Sequence, residues 1–216
     1  MPVKRTVLFD MDNTLYTNEP LERFQIDVLY RFVAERTGMD FETAKREFEA
    51  KRKQYSKMVG MDVSRSGMIP KFYASMAEWN RYRDEHISAN GYLERDEHLV
   101  AVFERLTSQG FGLAVVSNSA QKFVREAMVL LGIDARVVAS DLIHEFKPSI
   151  DYFVTATRFL GVPPETCISV GDRDSDIYPA NVIGIRGIKV RNTQDVYTID
   201  TYIQALDKSG KPNLIV

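Results

Sequence analysis

Asp10 and Asp12, two residues apart, stand directly after the apolar run Val7–Phe9. While the chain stays extended, side chains at i and i+2 start on one face, so one carboxylate can attack an electrophile while its neighbour handles a proton. Asp172 and Asp176 follow a second apolar run, Ser117 and Asn118 end a third, and Ser140 and Asp141 end a fourth, with Lys147 in the loop beyond, just before Pro148. Three carboxylates gathered together (Asp10, Asp12, Asp172) repel one another unless a cation binds or one is protonated. A hard ion such as Mg²⁺ suits oxygen donors, and His86, His98 and His144 are scattered without ligand spacing. Mg²⁺ keeps positions for water and phosphate, which points to phosphoryl chemistry. A carboxylate nearing a phosphate dianion meets repulsions of about 4 kcal/mol per pair of unit charges at roughly 4 Å and an effective dielectric near 20. The metal and Lys147 would offset this, although a solvated loop lysine is the competing reading of Lys147. Ser117 and Asn118 can donate to phosphate oxygens or simply cap the next helix, and Ser140 and Asp141 read as ordinary loop residues.

Such groups converge only if the elements before them form one sheet. Five runs have the length and β-branched character of buried parallel strands: Thr6–Phe9, Gly112–Val116, Arg136–Ala139, Cys167–Val170 and Ile185–Val190. Helical periodicity separates most of these runs: Leu99, Val102, Phe103 and Leu106 behind Asp96; Phe123, Val124, Ala127, Leu130 and Leu131 behind Ser119; Tyr152, Phe153, Ala156 and Leu160 behind Ser149. Alternating strands and helices imply an α/β fold with a parallel sheet, whose C-terminal strand ends share one edge. Residues 17–95 break the alternation and read as helix throughout: one helix ending at Gly38, one capped by Asp40, and one running from about Ile69 to Ile87. We therefore expect a core of residues 1–16 and 96–216 with residues 17–95 inserted as a small all-helical domain.

The 216 residues carry a formal net charge of −2, which argues against a broad cationic face for a nucleic acid polymer or an anionic membrane. No apolar run approaches a membrane span or a signal-peptide core, and the single cysteine, Cys167, fits a reduced compartment. A cytoplasmic location is expected; oligomeric state is open.

Four strings, in order, resemble the motifs of the haloacid dehalogenase-like hydrolases: Val7 to Leu15 with its Asp-x-Asp-x-Thr, Val115 to Asn118, Lys147-Pro148, and Gly171 to Asp176 with its Gly-Asp-x-x-x-Asp. The resemblance implies a Rossmann-like three-layer core whose five-stranded parallel sheet is ordered 5-4-1-2-3, with residues 17–95 as a cap. It also implies Asp10 as nucleophile, forming an aspartyl-phosphate, and Asp12 as acid and base. Mg²⁺ would be held by Asp10, Asp172 and the main-chain carbonyl of Asp12, with Asp176 behind them and Ser117, Asn118 and Lys147 on the phosphate. Members that remove halide lack the second aspartate, so Asp12 disfavours dehalogenation. The expected activity is Mg²⁺-dependent hydrolysis of a small phosphomonoester. Phosphomutase chemistry and a non-catalytic binding module are the alternatives. The Asp12–Tyr16 string is similar to the pyrimidine 5′-nucleotidase-like branch, and nucleoside monophosphates and sugar phosphates are the leading substrates. Within 17–95, Lys51-Arg52-Lys53, Arg65, Lys71, Arg81 and Arg83 can attract an anion or form solvated faces; Tyr55, Tyr73 and Trp79 can stack on a base or pack.

Overall fold

The computed structural model describes residues 5–216. Val7, Leu8 and Phe9 are wholly buried, so β1 (Thr6–Phe9) shows no polar alternation: the centre of a parallel sheet is covered on both faces. On either side run β2 (Gly112–Ser117) and β4 (Cys167–Gly171), then β3 (Arg136–Ala139) beyond β2, with β5 (Arg186–Lys189) and β6 (Asn213–Ile215) beyond β4. Every pairing is parallel, in the order β3-β2-β1-β4-β5-β6. The five expected strands thus hold their expected order, but the sheet has six. The addition, β6, is three residues long after Pro212, too short for periodicity to reveal; it exists because β5 offers it an edge.

Alternate strand residues feed two cores, as a two-residue side-chain period requires. Val7, Phe9, Val115 and Val170 pack beneath α5 (Glu97–Ser108), α6 (Gln121–Leu131) and α11 (Ile199–Ser209). Leu8, Ala114 and Val116 face α8 (Ile150–Leu160) and α9 (Asp174–Val182) on the other side. Short helices α7 (Ser140–Ile143) and α10 (Thr193–Val196) follow β3 and β5.

Residues 17–95 are helical as expected: α1 (Glu19–Thr37), α2 (Phe41–Val59), α3 (Arg65–Phe72) and α4 (Met76–His86). Asn18, Asp40, Ser64 and Ser75 each cap a helix by accepting from the third residue inside it, each cap worth about 1 kcal/mol. The expected single helix from Ile69 to Ile87 is two, because Ser75 and Glu78 form a reciprocal capping box that restarts the chain as α4. The four helices enclose a separate apolar cluster that includes Leu29, Phe32, Phe48 and Trp79. No helix among the described residues is long and apolar enough to cross a membrane.

Candidate active site

At the C-terminal edge of the sheet, the Asp10 amide still donates to the Val170 carbonyl at 2.8 Å. That bond fixes Asp10 beside the end of β4, where Gly171 leads into Asp172. Gly171 has to lack a side chain: a Cβ there would lie 2.5 Å from the Asp176 carboxylate. One oxygen each of Asp10, Asp172 and Asp176 gathers within 4.8 Å of the others.

Charge in this cluster is incompletely balanced. Lys147, only 3 % exposed, donates to Asp10 Oδ1 at 2.5 Å, to Asp176 Oδ1 at 2.6 Å and to the Val116 carbonyl at 3.0 Å. Burial would lower its pKa, but the Asp10 and Asp176 carboxylates hold it above the ordinary lysine value, so it stays an ammonium. Burial first, then the neighbouring Asp10 charge, pushes the Asp172 carboxyl up to about 7, and burial likewise pushes Asp176 up to about 6. Asp172 Oδ1 is buried with no hydrogen-bond partner. A buried carboxylate oxygen without a donor is costly, and an all-oxygen cluster with one such atom fits a hard dication. The cluster therefore can hold a metal ion.

Asp12 is set apart from these three. Asn13 adopts a left-handed conformation, φ 63°, which asparagine tolerates better than most residues, and the chain folds back so that Tyr16 bridges to Asp12. The Tyr16 phenol donates to Asp12 Oδ1, and the Ser119 hydroxyl donates to Oδ2 at 3.0 Å. Burial and the Asp10 charge raise the Asp12 pKa; these two hydrogen bonds oppose the rise without cancelling it. Asp12 is thus a carboxyl biased toward holding a proton and locked in orientation.

Of the residues expected at the site, Asp10, Asp12, Asn118, Lys147 and Asp176 line one cavity of about 140 Å³. Asp172 lies beside Asp10 in the acidic cluster. Asp176, expected behind the metal ligands, places one oxygen in the same cluster as Asp10 and Asp172, with Oδ2 accepting from the Arg173 amide at 3.0 Å. Ser117 is almost fully buried, and its hydroxyl accepts from the Ser119 amide at 3.0 Å. The Asn118 side chain accepts from the Lys147 amide at 2.8 Å and donates to the Lys147 carbonyl at 3.1 Å. These two brace the loops around the phosphate-binding candidate Lys147. Asp141, read as an ordinary loop residue, accepts from the Gln121 amide at 2.9 Å and supplies the cap that Ala120 cannot give α6.

Sequence reasoning missed Tyr16, Ser119 and Arg173 as members of the site. For Tyr16 and Ser119 the available signal was proximity to motif residues; Arg173 sits inside the Asp172–Asp176 string and approaches Asp172 at 3.6 Å.

A family profile described as haloacid dehalogenase-like hydrolase matches residues 4–184. The chain belongs to the haloacid dehalogenase-like hydrolases. It is 30 % identical over 198 residues to the glyceraldehyde 3-phosphate phosphatase of Methanopyrus kandleri, covering 87 % of this chain and 84 % of that one. A phosphoglycolate phosphatase of Aquifex aeolicus is 30 % identical over 110 residues, 45 % of this chain and 52 % of the relative. The fold is also that of CbbY from Rhodobacter sphaeroides, solved in complex with phosphate, at a TM-score of 0.60, 21 % identity, and coverage of 91 % and 88 %.

Proposed function

We propose that this hydrolase is a Mg²⁺-dependent phosphomonoesterase that carries the phosphoryl group on Asp10. The observation that carries the reading is the division of labour among the carboxylates: Asp10, Asp172 and Asp176 share one oxygen cluster, while Asp12 is held apart by Tyr16 and Ser119 with a raised pKa. Asp10 and Asp172, with Asp176 beside them, would hold Mg²⁺, and the orphaned Asp172 oxygen supports that assignment. When bound, the ion supplies charge stabilisation to the phosphoryl oxygens.

In the first half-reaction an Asp10 carboxylate oxygen attacks phosphorus and the bond from phosphorus to the leaving oxygen breaks. Asp12 gives its proton to that oxygen, so an alcohol departs. In the second, water attacks the phosphorus of the aspartyl-phosphate, Asp12 takes the water proton, the bond from phosphorus to the Asp10 oxygen breaks, and inorganic phosphate leaves with the Asp10 carboxylate restored. Lys147 remains charged throughout and offsets the negative charge beside Asp10. We assign residues 17–95 as a cap, because α1, α3 and α4 contribute Gln25, Arg65 and Trp79 to the same cavity as Asp10 and Asp12. Relatives named for glyceraldehyde 3-phosphate and phosphoglycolate support a short phosphorylated carbon chain over a nucleoside monophosphate. The buried, free thiol of Cys167 supports a cytoplasmic assignment.

The test is turnover of p-nitrophenyl phosphate with Mg²⁺ by the parent and by Asp10→Asn, followed by rapid acid quench of a single turnover with radiophosphorus-labelled substrate and by the stereochemical course with a substrate chiral at phosphorus. Parent activity, its loss in the variant, a hydroxylamine-labile phosphoryl label on Asp10 and retained configuration at phosphorus are expected. Phosphate released with inverted configuration refutes the covalent route.

A further inference from the structure

Arg83 is a buried cation that, among the described residues, has acids nearby (Asp141, Asp84 and Asp12) but none at ion-pair distance. It lies on α4, is 4 % exposed, and lines the cavity that contains Asp10 and Asp12. Its hydrogen bonds all go to neutral acceptors: the Asn118 carbonyl at 3.0 Å, the Asn80 side chain at 2.7 Å and the Ser140 hydroxyl at 3.2 Å. Of the five N–H groups of a guanidinium, its Nε–H is buried with no partner. Trp79 lines the same cavity, and its indole N–H is also buried without a partner among the described residues. The two side chains adjoin, with the Arg83 guanidinium carbon 5.9 Å from the Trp79 ring centroid. Burying a charge without pairing it is strongly unfavourable, and so is leaving two neighbouring donors unsatisfied. A ligand in the cavity with an anionic oxygen would give the guanidinium the contact charge partner that it lacks.

The position says which part of a substrate this oxygen belongs to. Lys147 donates to Asp10, where the transferring phosphoryl group would form its bond. Arg83 instead donates to the Asn118 carbonyl, one residue before the Ser119 hydroxyl that holds Asp12. On the proposed mechanism Asp12 faces the leaving oxygen, so Arg83 stands on the leaving-group side. Asp84 also lines the cavity, without reaching ion-pair distance of the guanidinium, and Asp141 is occupied by the Gln121 amide. Burial, more than these acids can counter, pulls the Arg83 pKa down to about 10.

We propose that Arg83, assisted by Trp79, is a specificity-determining residue that binds a second anionic oxygen group, carboxylate or phosphoryl, on the alcohol portion of the substrate. The inference rests on the phosphomonoesterase reading and narrows it to phosphorylated acids and bisphosphates.

The test compares kcat/KM for matched pairs that differ in that group: 3-phosphoglycerate against glycerol 3-phosphate, and glycerol 1,3-bisphosphate against glycerol 3-phosphate, with p-nitrophenyl phosphate as the generic substrate. A charge-assisted hydrogen bond predicts that the parent prefers at least one doubly anionic member by roughly tenfold to a hundredfold, and the responding pair distinguishes carboxylate from phosphoryl. In Arg83→Gln the ratio falls toward one, and Arg83→Lys, which keeps charge but loses Nε–H, lies between. A parent with no preference in either pair overturns the inference without any variant. A variant in which all substrates fall together, the ratio unchanged, also overturns it and makes Arg83 a brace for the Asn118 loop. Silence of the parent on every phosphomonoester overturns the phosphomonoesterase reading itself and this inference with it.

Discussion

Replacing Lys147 by methionine keeps the aliphatic stem and removes the ammonium that lies 2.5 Å from Asp10 and 2.6 Å from Asp176. Lys147 and the Asp176 side chain are each 3 % exposed, so solvent cannot take over the lost charge. Breaking a buried ion pair by deleting one partner costs about 3–5 kcal/mol, which for a chain of this size lowers the melting temperature by about 6–20 °C. Three controls isolate charge as the cause. Adding Asp176→Asn to Lys147→Met removes one of the stranded carboxylates and restores part of the loss. Mg²⁺ stabilises Lys147→Met more than the parent, because the dication supplies charge to the same oxygens. The deficit also shrinks as pH falls, since the Asp176 carboxyl, whose pKa burial already raises, takes up a proton more readily than an exposed aspartate and cancels the stranded charge. The measurement is thermal or denaturant unfolding at pH 5 and pH 8, with and without Mg²⁺. A variant that unfolds with the parent, or a double variant no more stable than Lys147→Met, refutes the claim that this ammonium balances the site.

Asp12→Asn is expected to lower kcat by about 10²–10⁴-fold, the usual contribution of a positioned acid, measured with p-nitrophenyl phosphate and with a poorer leaving group that suffers more. Tyr16→Phe deletes a hydrogen bond that lowers the Asp12 pKa; the carboxyl then holds its proton to higher pH, and the alkaline limb of the kcat/KM profile moves upward, whereas a fixed limb contradicts the assignment of Asp12 as acid. Mg²⁺ affinity, read by titrating the chelator-stripped protein, should strengthen as pH rises through about 7, the value to which burial pushes Asp172, because a ligand carboxyl must lose its proton before it binds metal. Gly171→Ala places a Cβ against Asp176, so a stability loss of about 1–3 kcal/mol and impaired metal binding are expected together; normal metal binding in that variant argues against the rigid seating of Asp176.

How legible the molecule was depends on whether a feature is local in the chain. The strands from Thr6, Gly112, Arg136 and Cys167 announced themselves because strands covered on both faces are unbroken apolar runs, and Asp10, Asp12 and Asp172 followed from where those runs end. Caps such as Asp40, Asp96 and Ser149 gave helix starts directly. The break between α3 and α4 was also legible, since Ser75 and Glu78 have capping-box spacing, but the apolar periodicity on either side masked it. What chain position could not show is contact at a distance. Arg83 meets Ser140 across 57 residues, Lys147 meets Asp10 across 137, and nothing in the local string around Arg83 separates it from solvated Arg81. The return of Tyr16 onto Asp12 hangs on one backbone angle at Asn13, which side-chain pattern does not encode.

Asn118 is the junction where these distant contacts meet: its carbonyl receives Arg83 from the helical segment, while its amide group clasps both backbone atoms of Lys147. These hydrogen bonds tie α4 through one residue to the peptide that carries the ammonium beside Asp10. Exchanging residues 17–95 for those of a relative would consequently retune the surroundings of Asp10 as well as the fit of the substrate, and grafts that ignore this joint should lose turnover before they lose binding.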